Sequence, residues 1–221
     1  MKIVFGTVLV FLGNLLAVTG QVITEQEMNE LLNSRKIQID NPIIQNQAII
    51  RQVQDENKII TIQEQQGNAS NHVFINQDGT ENLGYIGQSG SELETRLWQY
   101  NSNNEANLWL SGDYIQTSVK QQGDGNVINS YIENTGIVLR SASLLQEGNN
   151  NRIDLSLKGD GFGTNADGQT AVISQYGNQH EVMAIMEPFI YPLEINQTPG
   201  INGAGMKISI STSTFDFPMK K

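Results

Sequence analysis

The sequence predicts an all-β fold: a β-solenoid of about six strand-turn-strand repeats, stacked into two parallel, in-register sheets of cross-β type. Three observations predict it. The phrase Gln77-Asp78-Gly79-Thr80-Glu81-Asn82 returns as Gln99-Tyr100-Asn101-Ser102-Asn103-Asn104 and as Gln121-Gln122-Gly123-Asp124-Gly125-Asn126, in steps of 22 residues; a further copy, Gln146 to Asn151, follows after 25. A fixed period of this size marks a stacked repeat. Apolar and polar residues alternate on either side of the phrase, the period of a strand with one buried face. The centre of the phrase is most often Gly or Asn, the residues that tolerate the positive φ of a tight turn.

Composition narrows the reading. Only 38% of the 221 residues are hydrophobic and 16% are charged, too little apolar material for a thick globular core. Such a Gln/Asn-rich composition would by itself suggest disorder or aggregation, and the ordered period argues against plain disorder. The net charge of −10 offers no basic stripe to neutralise phosphates, which speaks against a nucleic-acid partner. Acidic charge instead keeps a self-associating chain dispersed before assembly. The chain has no cysteine, which excludes disulfides and zinc-thiolate sites.

Taken in order, residues 1–20 open with Met1-Lys2 and an apolar run, Ile3 to Val18, broken by Thr7 and Asn14. The small residues before Gln21 complete the pattern of a secretory signal peptide, and the run is short for a membrane anchor. Residues 21–45 form a polar leader, in which Thr24-Glu25-Gln26-Glu27 ahead of Met28, Leu31 and Leu32 has the form of a capping box opening a short helix. An unstructured leader is the alternative.

Six copies of an 18-residue core then align without gaps at 46–63, 71–88, 93–110, 115–132, 140–157 and 169–186. The first strand of each ends in a glutamine: Gln52, Gln77, Gln99, Gln121, Gln146 and Gln175. Two residues on comes the turn residue, Gln54, Gly79, Asn101, Gly123, Gly148 or Gly177; three further on stand Asn57, Asn82, Asn104, Asn126, Asn151 and, in the last copy, His180. Before the turn, Ile50, Ile75, Leu97, Val119, Leu144 and Ile173 share one inward position; after it, Ile59, Gly84, Ala106, Ile128, Ile153 and Val182 share another. Residues 187–221 form a non-repeat tail, where Pro188, Pro192 and Pro199 break pairing and Lys207 to Phe217 alternates again, as a terminal strand or a cap.

A single strand-turn-strand unit has nothing of its own to bury. Stacked at roughly 4.8 Å per layer, six copies span about 29 Å and set like side chains directly over one another. The glutamines and asparagines then form two ladders, bonded amide to amide along the stack. End layers of such a stack expose unpaired backbone groups, and a self-similar end accepts another copy of itself, so that contacts which do not close generate filaments.

The unit Gln-x-Gly-x-x-Asn-x-(small)-x-x-x-Gln, as in Gln77 through Gln88, resembles the curlin repeat of curli subunits, over about residues 46–186. The resemblance implies a secreted functional amyloid, exported through an outer-membrane curli secretion system into an extracellular fibre at a bacterial surface. There it would serve biofilm matrix and adhesion, with other curli subunits as partners and a matrix polysaccharide or host surface as ligands. The family's opening Ser is replaced in all six copies, and its closing Gln persists only at Gln63 and Gln88 before becoming Leu110, Ile132, Leu157 and Met186. With the irregular inserts and the long tail, these departures suit the minor, nucleating subunit better than the major one.

Catalytic, cofactor and metal sites are not expected. His72 and His180 occupy different repeat positions, and Glu92, Glu94, Asp154 and Glu181 share no column as the acids of a solenoid hydrolase would. The Gly/Asp-rich stretch 159–168 carries oxygen ligands suited to calcium, although a flexible insertion explains it as well. The competing function is a monomeric extracellular β-solenoid binding module for a carbohydrate or surface. Such a module wants a regular outward ladder, and Arg51, Asn76, Trp98, Lys120, Leu145 and Ser174 form none.

Overall fold

The computed structural model describes residues 8–12, 14–18, 46–64, 71–133, 140–159, 164–186 and 192–212. The helix expected at Thr24 to Leu32 lies outside them, as do residues 160–163 of the Gly/Asp-rich loop. Each copy of the repeat folds as one rung: a long strand, a turn at the Gln-x-Gly phrase, and a shorter strand running back.

The first strands are β3 (Asn46–Val53), β5 (Asn71–Asp78), β7 (Glu94–Tyr100), β9 (Ile115–Gln122), β11 (Arg140–Glu147) and β13 (Ala171–Tyr176). The return strands are β4 (Lys58–Ile59), β6 (Leu83–Gly84), β8 (Glu105–Asn107), β10 (Val127–Asn129), β12 (Arg152–Ile153) and β14 (Glu181–Met186). Pairing is parallel and in register throughout both sets, so Gln77 lies beside Gln99 and Gln99 beside Gln121. The expected β-solenoid with two stacked parallel sheets is the observed fold.

Period-two alternation does what it predicts. Val73, Ile75, Leu97, Val119, Leu144, Ile173, Ile128, Ile153 and Val182 are all buried between the sheets, and Ile50 and Ile59 at the first rung are partly covered. Two strand faces about 10 Å apart thus share a one-layer apolar core, which explains how a chain so poor in hydrophobic residues buries enough of them.

The return strands are shorter than the alternation predicts. In the third and fourth rungs they give way to runs of positive φ, at Asn107–Ser111 and Asn129–Glu133. Stacking persists there through single backbone bonds, such as Leu108 N–H to Asn129 O at 2.8 Å and Gln88 N–H to Trp109 O at 2.9 Å. Leu108, Leu110 and Ile132 still point inward and stay buried.

Two further elements extend the stack. Beyond Met186, β15 (Leu193–Gln197) pairs in parallel with β13, and β16 (Lys207–Thr212) pairs with β14. The tail therefore builds a seventh rung instead of leaving the pattern. Its turn segment, residues 198–206, is nine residues long against four, 177–180, in the rung before it. Pro192 and Pro199 flank β15, where a missing N–H breaks no ladder bond. Lys207 pairs with Glu181, and the ammonium's hydrogen bond holds that carboxyl below the usual carboxylate range. This tie between the last two rungs is present above the ordinary glutamate range and fades as acid protonates Glu181. At the other end, β1 (Val8–Leu12) and β2 (Asn14–Val18) form an antiparallel hairpin laid against β3.

Candidate functional site

The glutamine ladder is continuous from end to end. The side-chain Nε2 of each rung donates to Oε1 of the next: Gln52 to Gln77 at 2.8 Å, Gln77 to Gln99 at 2.7 Å, Gln99 to Gln121 at 2.8 Å, Gln121 to Gln146 at 3.0 Å, and Gln146 to Gln175 at 2.9 Å. A sixth bond, at 2.8 Å, runs on to Gln197. All but Gln52 are fully shielded from water, and buried amides are tolerated only when bonded. The second amide proton is also used. Gln99 Nε2 donates to Leu83 O at 2.9 Å, Gln146 Nε2 to Val127 O at 2.9 Å and Gln175 Nε2 to Arg152 O at 3.0 Å, so these three glutamines also tie the first sheet to the second.

The asparagines stack as expected but bond differently. Amide-to-amide contact occurs only between Asn82, Asn104 and Asn126, at 3.1 Å each. Their main partners are backbone. The Oδ1 of Asn57, Asn82, Asn104 and Asn126 accepts the backbone N–H of the next asparagine at 3.0–3.1 Å, and Asn151 accepts that of His180 at 2.9 Å. Each Nδ2 donates to the turn carbonyl one rung on: Gly79, Asn101, Gly123, Gly148 and Gly177, at 2.7–2.8 Å. The asparagine column therefore works as a clamp on the turns, because the turn carbonyl lies nearer its amide than the neighbouring side chain does.

His180, 1% exposed, accepts from the next rung as the asparagines do, but its second bond stays within its own rung. Met206 N–H in the seventh rung donates to Nδ1 at 3.1 Å, which requires that nitrogen to be bare, and Nε2 then carries the proton toward Tyr176 O at 2.8 Å. His180→Asn should leave the thermal midpoint nearly unchanged. His180→Leu, which strands both backbone groups, should lose about 1–3 kcal/mol; equal midpoints for the two variants would contradict this role.

The turn residues all have positive φ: Gln54 75°, Gly79 145°, Asn101 71°, Gly123 121°, Gly148 120° and Gly177 106°. The four glycines lie well beyond the left-handed helical region, where a side chain is disfavoured. There the backbone of the next turn comes close: a Cβ on Gly148 would sit 1.9 Å from Gly177 O.

A third column went unread in the sequence. The residue after each turn position is short and oxygen-bearing (Asp55, Thr80, Ser102, Asp124, Asn149, Asn178). Asp124 Oδ1 accepts from Ser102 N–H at 3.0 Å, Asn149 Oδ1 from Asp124 N–H at 2.8 Å and Asn178 Oδ1 from Asn149 N–H at 2.7 Å. The seventh ladder glutamine, Gln197, was missed as well; its signal was Leu193 and Ile195 four and two residues before it.

The second glutamine column ends early. Gln88 Nε2 reaches Gln63 Oε1 at 3.4 Å, but the next residue in the column is the buried Leu110, and Gln88 Oε1 has no partner. In the Gly/Asp-rich loop, Asn165 Oδ1 accepts the N–H groups of Asp167 and Gln169, at 3.0 and 2.9 Å, and so closes the turn itself. Among the described residues no three His, Asp or Glu side chains are grouped to hold a metal ion. Compared with protein families, curated proteins and solved structures, the chain matches none.

Proposed function

We propose that this chain is a self-assembling extracellular fibre subunit of the curli type, with a nucleating role favoured over that of the bulk subunit. One observation carries the reading. Seven rungs share one register and one unbroken glutamine ladder, and the strands at both ends of that ladder pair in the same parallel register as those of its middle. No described strand lies beyond β15, β16 or β4. A second molecule that stacks there repeats contacts the first already makes, and its addition does not close the assembly. On the expected processing before Gln21, the β1–β2 hairpin leaves with the signal peptide and β3, with Gln52, becomes an outer rung. Export through an outer-membrane curli system follows from the curlin resemblance of the repeat phrase. The nucleating role follows from the apolar replacements of the closing glutamine.

The test uses the chain beginning at Gln21. Incubated alone or with preformed seeds of its own, it should give fibres that bind thioflavin T and diffract at the two cross-β spacings, about 4.8 and 10 Å. Persistence as a dispersed monomer in the presence of seeds would overturn the reading and favour a solitary binding module.

A further inference from the structure

The second sheet carries an outward cleft that neither the ladders nor the stacking of rungs explains. One outward column of that sheet reads Ile62, Gly87, Trp109 and Tyr131 in successive rungs. Ile62 is 46% and Trp109 55% exposed, unusual for large apolar side chains, and the edge of Tyr131 braces the indole from the far side with ring centroids 6.3 Å apart. Gly87 between them leaves the column empty for one rung. It lies beside Trp109 in a parallel bridge at φ +88°, and a Cβ there would meet the Trp109 backbone oxygen at 2.9 Å. The position therefore stays open.

The result is a cleft of about 260 Å³ with Ile62 and Trp109 as walls and Tyr85 alongside. Walls two rungs apart stand about 9.6 Å from each other, room for one ring in van der Waals contact, at about 4 Å, with both sides. Around this apolar slot lie Gln88, Ser89, Ser111 and the carboxylate of Glu64, and no lysine or arginine lines it. Gln88 is 4% exposed, and its Oε1 lacks a partner.

We propose that this cleft binds one ring of a neutral polysaccharide. A hexopyranose has apolar C–H faces for the two walls and a rim of hydroxyls for the amide, serine and carboxylate groups. Strand addition by an extended peptide is excluded because the local backbone is already paired: Gln88 N–H donates to Trp109 O at 2.9 Å and Gly90 N–H to Ser111 O at 3.1 Å. Sulfated or phosphorylated chains meet a lone carboxylate on a chain of net charge −10.

The experiment titrates the dispersed full chain with cellohexaose, maltohexaose and dextran sulfate, read by tryptophan fluorescence and calorimetry. At least one neutral hexasaccharide should bind. Trp109→Ala should weaken that binding at least ~10-fold, whereas Trp98→Ala, on the first sheet, should leave it within ~2-fold. Circular dichroism matched to the parent chain shows that the exposed Trp109 can be removed without unfolding. Absence of binding by both hexasaccharides, undiminished binding by Trp109→Ala, or tighter binding of dextran sulfate would each overturn the proposal. Fibre formation is scored separately, so either reading can fail without the other.

Discussion

Gln99→Leu should destabilise the dispersed chain by about 2–5 kcal/mol, as much as any single ladder substitution. Leucine matches the side chain in bulk, so packing alone predicts little change. The loss comes from what is stranded. Gln121 Oε1, fully buried, loses its donor; Gln77 Nε2 loses its 2.7 Å acceptor; and Leu83 O loses the second amide proton. Each buried group left without a partner costs about 1–3 kcal/mol. Gln52→Leu is the control, because it breaks one bond at a partly exposed rung and should lose no more than about 1 kcal/mol. Rungs in a stack open locally, so amide hydrogen exchange in β5 and β9 should accelerate with the fall in midpoint. Equal losses for the two variants would show that the ladder is incidental to stability.

Gly123→Ala should be as damaging by a different route. A Cβ at this residue lies 2.0 Å from Gly148 O and 2.7 Å from its carbonyl carbon, at φ +121°. The neighbouring turn cannot retreat without loosening the 2.9 Å bond from Gly148 N–H to Gln122 O and the 2.7 Å bond from Asn126 Nδ2 to Gly148 O. Backbone strain of about 1–3 kcal/mol adds to the overlap, and a total loss above about 3 kcal/mol is expected, with slower fibre formation. Asn101→Gly is the comparison. Its φ of 71° already lies in the region asparagine and glycine both adopt, so its midpoint should barely move. A Gly123→Ala chain as stable as the parent would mean that the turns are not in contact along the stack.

Much of this molecule can be read from residue order. The 22-residue step placed Gln77, Gln99 and Gln121 in one column, and alternation placed Val73, Leu97 and Val119 inside. Where reading failed, the reasons are physical. The seventh rung was hidden because its extra residues lie inside the turn, at 198–206, where other inserts fall between copies. The Asp55-to-Asn178 column was hidden because four residue types share it, alike only in offering a short side-chain oxygen. Periodicity could stack the asparagines but not choose their acceptors, which depends on how far each turn carbonyl tilts toward the amide. Leu108, Trp109, Tyr131 and Ile132 favour strands by propensity, yet the backbone there takes positive φ while keeping the same faces inward.

The six glutamine bonds from Gln52 to Gln197 all point one way along the stack, donor toward acceptor. A filament joined by continuing that series is a vector. One tip offers a bare amide oxygen, that of Gln52; the opposite tip offers the Gln197 nitrogen, whose hydrogens turn back to Glu181 O and Met206 O at 3.3 and 2.9 Å until a newcomer displaces one. Two filaments meeting by their oxygen tips cannot fuse, so elongation should proceed at unequal speeds from the two tips, and breakage should create one fast and one slow tip each time.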